Sequence, residues 1–359
     1  MTTRTERASR DIVSWRARLT VGMLLACVLA PLTAHGSEPP KLFLPIDCRL
    51  GETCFVQNYV DVDQGPGAQD FACGGATFNG HKGTDFRVLS AAATEGVFVL
   101  AAADGKVLRG RDSMPDRLLR DYASKAELKS IVGENQCGNG LIIDHGGGWT
   151  TQYCHLKRGS IVAMPGQVVK AGDPLGTVGY SGTADFAHVH LTVRHDDDVV
   201  DPFLGRVGAA GASCDPNAEA SKGLWREDLR DKLEYGRYVI FDAGFAGAPP
   251  DNDQMERNHH PEIVRPDSPA LLFYARMMNL KAGDRISVAI AGPEGFRAES
   301  TTKPLERNRA AQMIYAGKKR VAERWPAGIY KGGVSVLRPS AEGGAAKVVA
   351  ERRIAFQLR

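Results

Sequence analysis

The sequence lacks an apolar run long enough to cross a bilayer comfortably, and it has no CxxC pair, heptad array, low-complexity tract or long internal repeat. The first absence argues against a membrane-spanning domain, because a spanning helix needs about 20 apolar residues. The second weakens a cysteine-held metal site, and the others exclude coiled coils and solenoid arrays. A lasting excess of charge is also missing. The chain has 45 Lys and Arg against 42 Asp and Glu, but its first 36 residues hold five of the basic and two of the acidic ones. The remainder is formally neutral, with no basic footprint for nucleic acid.

What is present begins with that first segment. Arg4, Arg7, Arg10, Arg16 and Arg18 precede the apolar stretch "LTVGMLLACVLAPL", which Pro31 interrupts, and Ala34-His35-Gly36 offers a small-x-small exit. This order predicts a secretory signal peptide over residues 1–36, with an uncleaved anchor as the alternative. Cys27 leaves with the signal. Cys48, Cys54, Cys73, Cys137, Cys154 and Cys214 remain, and an even number in an exported chain predicts disulfides. An exported product fits the periplasm first and the extracellular space second, with no stable membrane span after cleavage.

From residue 37 to 214 short runs rich in Val, Ile, Thr and aromatics alternate with Gly turns, which predicts antiparallel sheet. Gly146-Gly147-Gly148 folds one strand onto the next. Residues 111–133 break the pattern as a helical insertion. Ser113 with Pro115 suggests one short helix, and Ser124 with Glu127, a capping box, suggests a second that Gly133 closes. The insertion either packs on the sheet through Leu118, Leu119, Tyr122, Leu128 and Ile131, or forms a wall or lid. Residues 215–235 read as a polar, helix-like connector, and 236–359 return to strands spaced for a β-sandwich-like accessory domain. The fold class is mainly β. Cys137 and Cys154 lie on the two arms of the glycine hairpin, so a cross-strand bridge is reasonable. Cys48 with Cys54 closes a small loop, leaving Cys73 with Cys214, one choice among fifteen pairings.

In "AHVHLTV" a strand places Val189, Leu191 and Val193 on one face, and His188, His190, Thr192 and Arg194 on the other. "GHKGTDF" sets His81 and Asp85 four apart, with Gly83 allowing a bend. "TTQYCHL" groups Trp149, Thr151, Tyr153 and His155 on one face, opposite Cys154. His145, His195, His259 and His260 read as surface or hydrogen-bonded side chains. His81, Asp85, His155, His188 and His190 together are donors that Zn²⁺ prefers. A catalytic site keeps three protein ligands and an open position, which leaves two groups for proton work.

HxxxD, then Tyr-x-His-Leu, then HxH, in that order, resembles the lysostaphin/LytM-type zinc metallopeptidases, over roughly Gly80 to Leu204. The run "KAGDPLGTVGYSGTADFAHVHL" is also similar to the family's approach to its HxH strand. The resemblance implies an antiparallel-sheet metallopeptidase domain that cuts peptidoglycan peptides. It further implies one Zn²⁺ per chain on His81, Asp85 and His190, with His155 and His188 catalytic. Zinc polarises a carbonyl and acidifies water toward pKa ~7. Without an HExxH glutamate, proton handling falls to the two imidazoles. Two other functions stay open. One is a carrier of the lipoyl or biotinyl kind, for which Lys106 is poorly placed. The other is a non-hydrolytic zinc-binding envelope protein that activates another wall enzyme, with 236–359 docking an envelope partner.

Overall fold

The structure is a computed structural model. It describes residues 38–89, 96–207, Cys214, 223–235, 239–257, 259–340 and 344–359. The expected signal segment, and residues 215–222 of the expected connector, lie outside them.

Eleven strands form the first part: β1 Cys54–Asn58, β2 Thr84–Val88, β3 Phe98–Leu100, β4 Gly105–Arg111, β5 Asn139–Gly146, β6 Trp149–Leu156, β7 Val168–Val169, β8 Pro174–Thr177, β9 His188–His195, β10 Asp198–Asp201 and β11 Arg206–Val207. Nine of them make one antiparallel sheet. Its path runs β1-β2-β9-β6-β5-β4-β7, with β10 beside β9 and β11 beyond; β3 and β8 pair separately. Val189, Leu191 and Val193 of β9 are buried in the core with Phe86, Val88, Tyr153 and Trp149. That places His188, His190, Thr192 and Arg194 on the opposite face, as strand alternation requires. The β5–β6 hairpin turns at Gly147 and Gly148, both at positive φ, with Gly146 paired to Trp149. Two left-handed residues match the twist of the flanking strands, which only glycine adopts without strain.

The insertion has one of the two expected helices. In α1 (Lys125–Ile131) the Ser124 Oγ accepts from the Glu127 N–H, and the Glu127 carboxylate accepts from the Ala123 N–H. No helix starts at Ser113. Asp116 instead bridges to Ser181 and accepts from the Arg158 N–H, so the segment runs extended up to a single 3₁₀ turn at Leu119–Asp121. Met114, Tyr122 and Val132 form a small core of their own against Leu128, whereas Ile131 is exposed. Farther on, α2 (Glu227–Arg230) and a following 3₁₀ turn put Leu229 and Leu233 into the main core beside Trp225, which is fully buried.

The C-terminal part contains α3 (Asn252–Glu256) and seven strands: β12 Ile240–Ala246, β13 Ala270–Leu280, β14 Arg285–Ala291, β15 Arg297–Thr301, β16 Arg309–Lys319, β17 Gly328–Arg338 and β18 Lys347–Leu358. They form two antiparallel sheets, β12-β13-β16 and β15-β14-β17-β18. A second core, with Leu271, Phe273, Ile286, Val288, Tyr330 and Val334, fills the space between them, which makes this part a β-sandwich. Three disulfides, Cys48–Cys54, Cys73–Cys214 and Cys137–Cys154, match the pairing expected from the sequence. No helix of the described residues is long and apolar enough to cross a membrane.

Candidate metal centre

Antiparallel register brings the site together. Asp85 of β2 lies opposite His190 of β9, and Arg87 lies opposite His188. His81 enters from the loop before β2. The result is a triangle of donors: His81 Nε2 to Asp85 Oδ1 is 3.2 Å, His81 Nε2 to His190 Nδ1 is 3.1 Å, and His190 Nδ1 to Asp85 Oδ1 is 2.8 Å. Neighbouring ligands on a tetrahedral Zn²⁺ with bonds of about 2.0–2.1 Å stand roughly 3.3–3.4 Å apart, so this donor set fits such an ion with small adjustments. Each ligand is oriented from behind. His81 Nδ1 donates to the Tyr59 carbonyl (2.7 Å), Asp85 Oδ2 accepts from Asn58 Nδ2 (2.8 Å), and His190 Nε2 meets Thr192 Oγ1 (3.0 Å). Such outer partners fix which nitrogen faces a metal.

Gly83 serves this geometry differently from the bend expected of it. Its φ is not left-handed, but a Cβ there would stand 2.5 Å from His190 Nε2 and 2.5 Å from the Leu191 carbonyl oxygen. Glycine is needed so that the His190 ring and the β9 backbone can approach.

His155 corrects the face assignment. Strand alternation groups it with Trp149, Thr151 and Tyr153, and those three side chains are buried, the two aromatic ones in the main core. His155 itself has φ 65°, a left-handed backbone that turns its ring over to the side of His188 and His190. Ring centroids lie 4.6 Å from His188 and 6.0 Å from His190. A non-glycine residue there is strained, and strain of this kind is held by its surroundings. Here the His155 N–H donates to the Cys137 carbonyl (2.8 Å), its Nδ1 donates to the Ser181 carbonyl (2.7 Å), and the neighbouring Cys154 is bridged to Cys137.

The electrostatics divide the five groups. Burial would raise the Asp85 pKa, but His81 and His188, with hydrogen bonds from His190 and His81, hold it well below the carboxylate range. Burial would lower His81, and Asp85 with the Tyr59 carbonyl outweighs that and raises it. Burial, and then the nearby His188 and His190, push His155 well below the usual imidazole value. Burial lowers His188 too, despite Asp85 at 3.5 Å. His155 and His188 are therefore neutral bases near neutral pH.

The remaining histidines among the described residues lie apart from this site. His145 bonds the Asp104 carbonyl and Thr151, His195 lies against the Trp149 ring, and His259 and His260 are exposed. The supporting residues Asn58, Tyr59, Ser181 and Phe186 give no sequence signal, since three of them act through backbone carbonyls. The five site residues line a cleft of about 690 Å³. A larger hollow of about 870 Å³ on β14, β15, β17 and β18 holds no cluster of metal-type ligands, so chemistry rather than size locates the site.

Sheet, cleft and a His-Asp-His donor set define a candidate metal centre in a mainly β domain. Residues 79–202 match the model of peptidase family M23. Over 124 residues it is 30% identical to the cell division protein DipM of Caulobacter vibrioides (strain NA1000 / CB15N), covering 34% of this chain and 17% of that protein. Over 160 residues it is 24% identical to an uncharacterized metalloprotease of Buchnera aphidicola subsp. Baizongia pistaciae (strain Bp), covering 45% of this chain and 32% of that one. The chain thus spans less than a third of the length of these two relatives. A zinc-containing peptidase from Vibrio cholerae is similar at 24% identity and a TM-score of 0.26, over 41% of this chain and 39% of that one.

Proposed function

We propose that the chain is an exported zinc metallo-endopeptidase that hydrolyses a peptide bond of peptidoglycan, working in the periplasm on the D-alanyl cross-link. The observation that carries this reading is the convergence of His81, Asp85 and His190 donor atoms within 4.8 Å of one another, beside two further buried histidines. The first three would hold one ion, and when bound it supplies Lewis acidity to the scissile carbonyl and acidifies water. His155 and His188 handle protons. Each directs Nδ1–H to a backbone carbonyl, of Ser181 at 2.7 Å and of Phe186 at 2.8 Å, which leaves the lone pair on Nε2. A neutral imidazole in that tautomer takes a proton from the attacking water and, as imidazolium, gives it to the departing amine. The three disulfides support an oxidising compartment.

The test is mass spectrometry of muropeptides after purified sacculi are incubated with zinc-loaded protein, with and without a chelator. Loss of cross-linked dimers, blocked by the chelator, is expected. Zinc-loaded protein that leaves every muropeptide intact would refute hydrolysis and favour the activator reading.

A further inference from the structure

The cleft is not built by the metal-site sheet alone. Asn252 and Glu256 of α3, and Ala310 and Ala311 of β16, line it together with the five site residues, and so does Arg120 of the insertion. These residues come from the C-terminal sandwich and from a segment more than a hundred positions earlier, so their meeting needs a physical cause.

Buried contacts fasten the sandwich to the β1–β2 edge. Phe55 meets Phe241 edge-on at 5.9 Å, Met278 packs in the same cluster, and Asn279 Nδ2 donates to the Gln57 carbonyl (2.7 Å). Below the cleft Glu256 accepts from both Arg87 and Arg276. At the insertion Arg120 pairs with Asp253 while its other nitrogen donates to the Asp185 carbonyl (2.7 Å), and Arg257 donates twice to Asp121 (2.9 and 2.6 Å). Three remote segments, 119–121, 183–188 and 252–257, are thereby joined around one cleft.

The lining has its own chemistry. Asn252 Oδ1 accepts from Arg276 Nε (3.1 Å), which assigns the carboxamide and leaves its Nδ2 as a donor on the wall. Ala310 and Ala311 are exposed, and their side chains end at Cβ where pairing of Ala311 with Met278 sets the strand. They leave room.

The geometry points to the C-terminal sandwich as a wall of the substrate cleft, with Asn252 hydrogen-bonding the substrate peptide and Ala310-Ala311 admitting its bulk. The substrate rests on the peptidase reading above. On this account residues 236–359 select the peptide directly.

The probe is a fluorescently labelled, cross-linked tetrapeptide dimer from sacculi. Its binding to the full chain, stripped of metal so that the probe survives, is read by anisotropy, and its hydrolysis by the zinc-loaded chain is read separately. Asn252→Ala is expected to raise Kd and KM about three- to tenfold, the worth of one hydrogen bond, with kcat little changed. Ala311→Trp, at an exposed site, is expected to raise both about tenfold or more by filling the cleft. Variants that bind as the wild type does, a fall in kcat with Kd and KM unmoved, or a wild-type chain that does not bind the dimer, would overturn the wall. A dimer that binds, with the predicted shifts in the variants, yet is never cut would sustain the wall and refute the peptidase reading.

Discussion

Glu256→Ala removes the shared partner of two buried arginines. In side-chain area Arg87 is 1% exposed, Arg276 3% and Glu256 4%. Without the carboxylate, Arg87 keeps Gln57 Oε1 at 2.7 Å and the faces of Phe186 and Phe241 at 4.6 and 4.4 Å, while Arg276 keeps Asp242 at 3.5 Å. These contacts offset part of the loss but leave Arg87 without an ion-paired carboxylate and Arg276 with the longer Asp242 pair alone. Breaking a buried pair in this way costs about 3–5 kcal/mol, and here the sandwich is attached through it. For a unit this large, about 2 °C per kcal/mol gives a fall of roughly 6–10 °C in Tm. The pH dependence has a definite sign. Burial would raise the Glu256 pKa, but Arg87 and Arg276 hold it below the ordinary glutamate value. Its stabilisation is therefore complete above the unfolded pKa, about 4.3, and is lost as pH falls through the lower folded one. Thermal and urea unfolding of wild type and variant, followed by tryptophan fluorescence at neutral pH and down through the acid range, reads both effects. A variant within about 1 kcal/mol of wild type at pH 7, or one that keeps the full acid-side slope, would refute the reasoning.

Gly83→Ala should reduce zinc content and destabilise the fold by about 1–3 kcal/mol, because a Cβ 2.5 Å from both His190 Nε2 and the Leu191 carbonyl must displace one of them; metal analysis and melting check it, and wild-type values for both would contradict it. Replacing Cys137 and Cys154 together by serine opens a link with sequence separation 17, worth about 3 kcal/mol. The same change should lower kcat more than zinc content, since it frees the strained backbone of His155 but no ligand; an unchanged kcat with a lowered Tm would confine the bridge to stability.

The features legible in the sequence are those set by short-range rules. The period of a strand placed His188 with His190, a capping box placed α1, and the glycine triplet placed the hairpin whose second strand carries Cys154, bridged to Cys137 just before the first. Reading failed where distant chain segments decide the outcome. His155 breaks the alternation that predicted its face, because its backbone is held left-handed by Cys137 and Ser181. Gly83 was read from its neighbours, although its role is to admit His190, 107 positions away. The helix expected at Ser113 gave way to contacts of Asp116 with Arg158 and Ser181. Nothing in α3 announced Asn252 or Glu256 as part of the cleft, since their partners Arg87 and Arg276 lie on other elements.

The most direct test of the central claim is zinc affinity and stoichiometry by chelator competition across five single alanine variants. His81→Ala, Asp85→Ala and His190→Ala are predicted to lose tight zinc. His155→Ala and His188→Ala should keep about one ion per chain while hydrolysis collapses. Wild-type zinc binding by His190→Ala, or loss of zinc from His155→Ala and His188→Ala equal to that of the first three, would contradict the account.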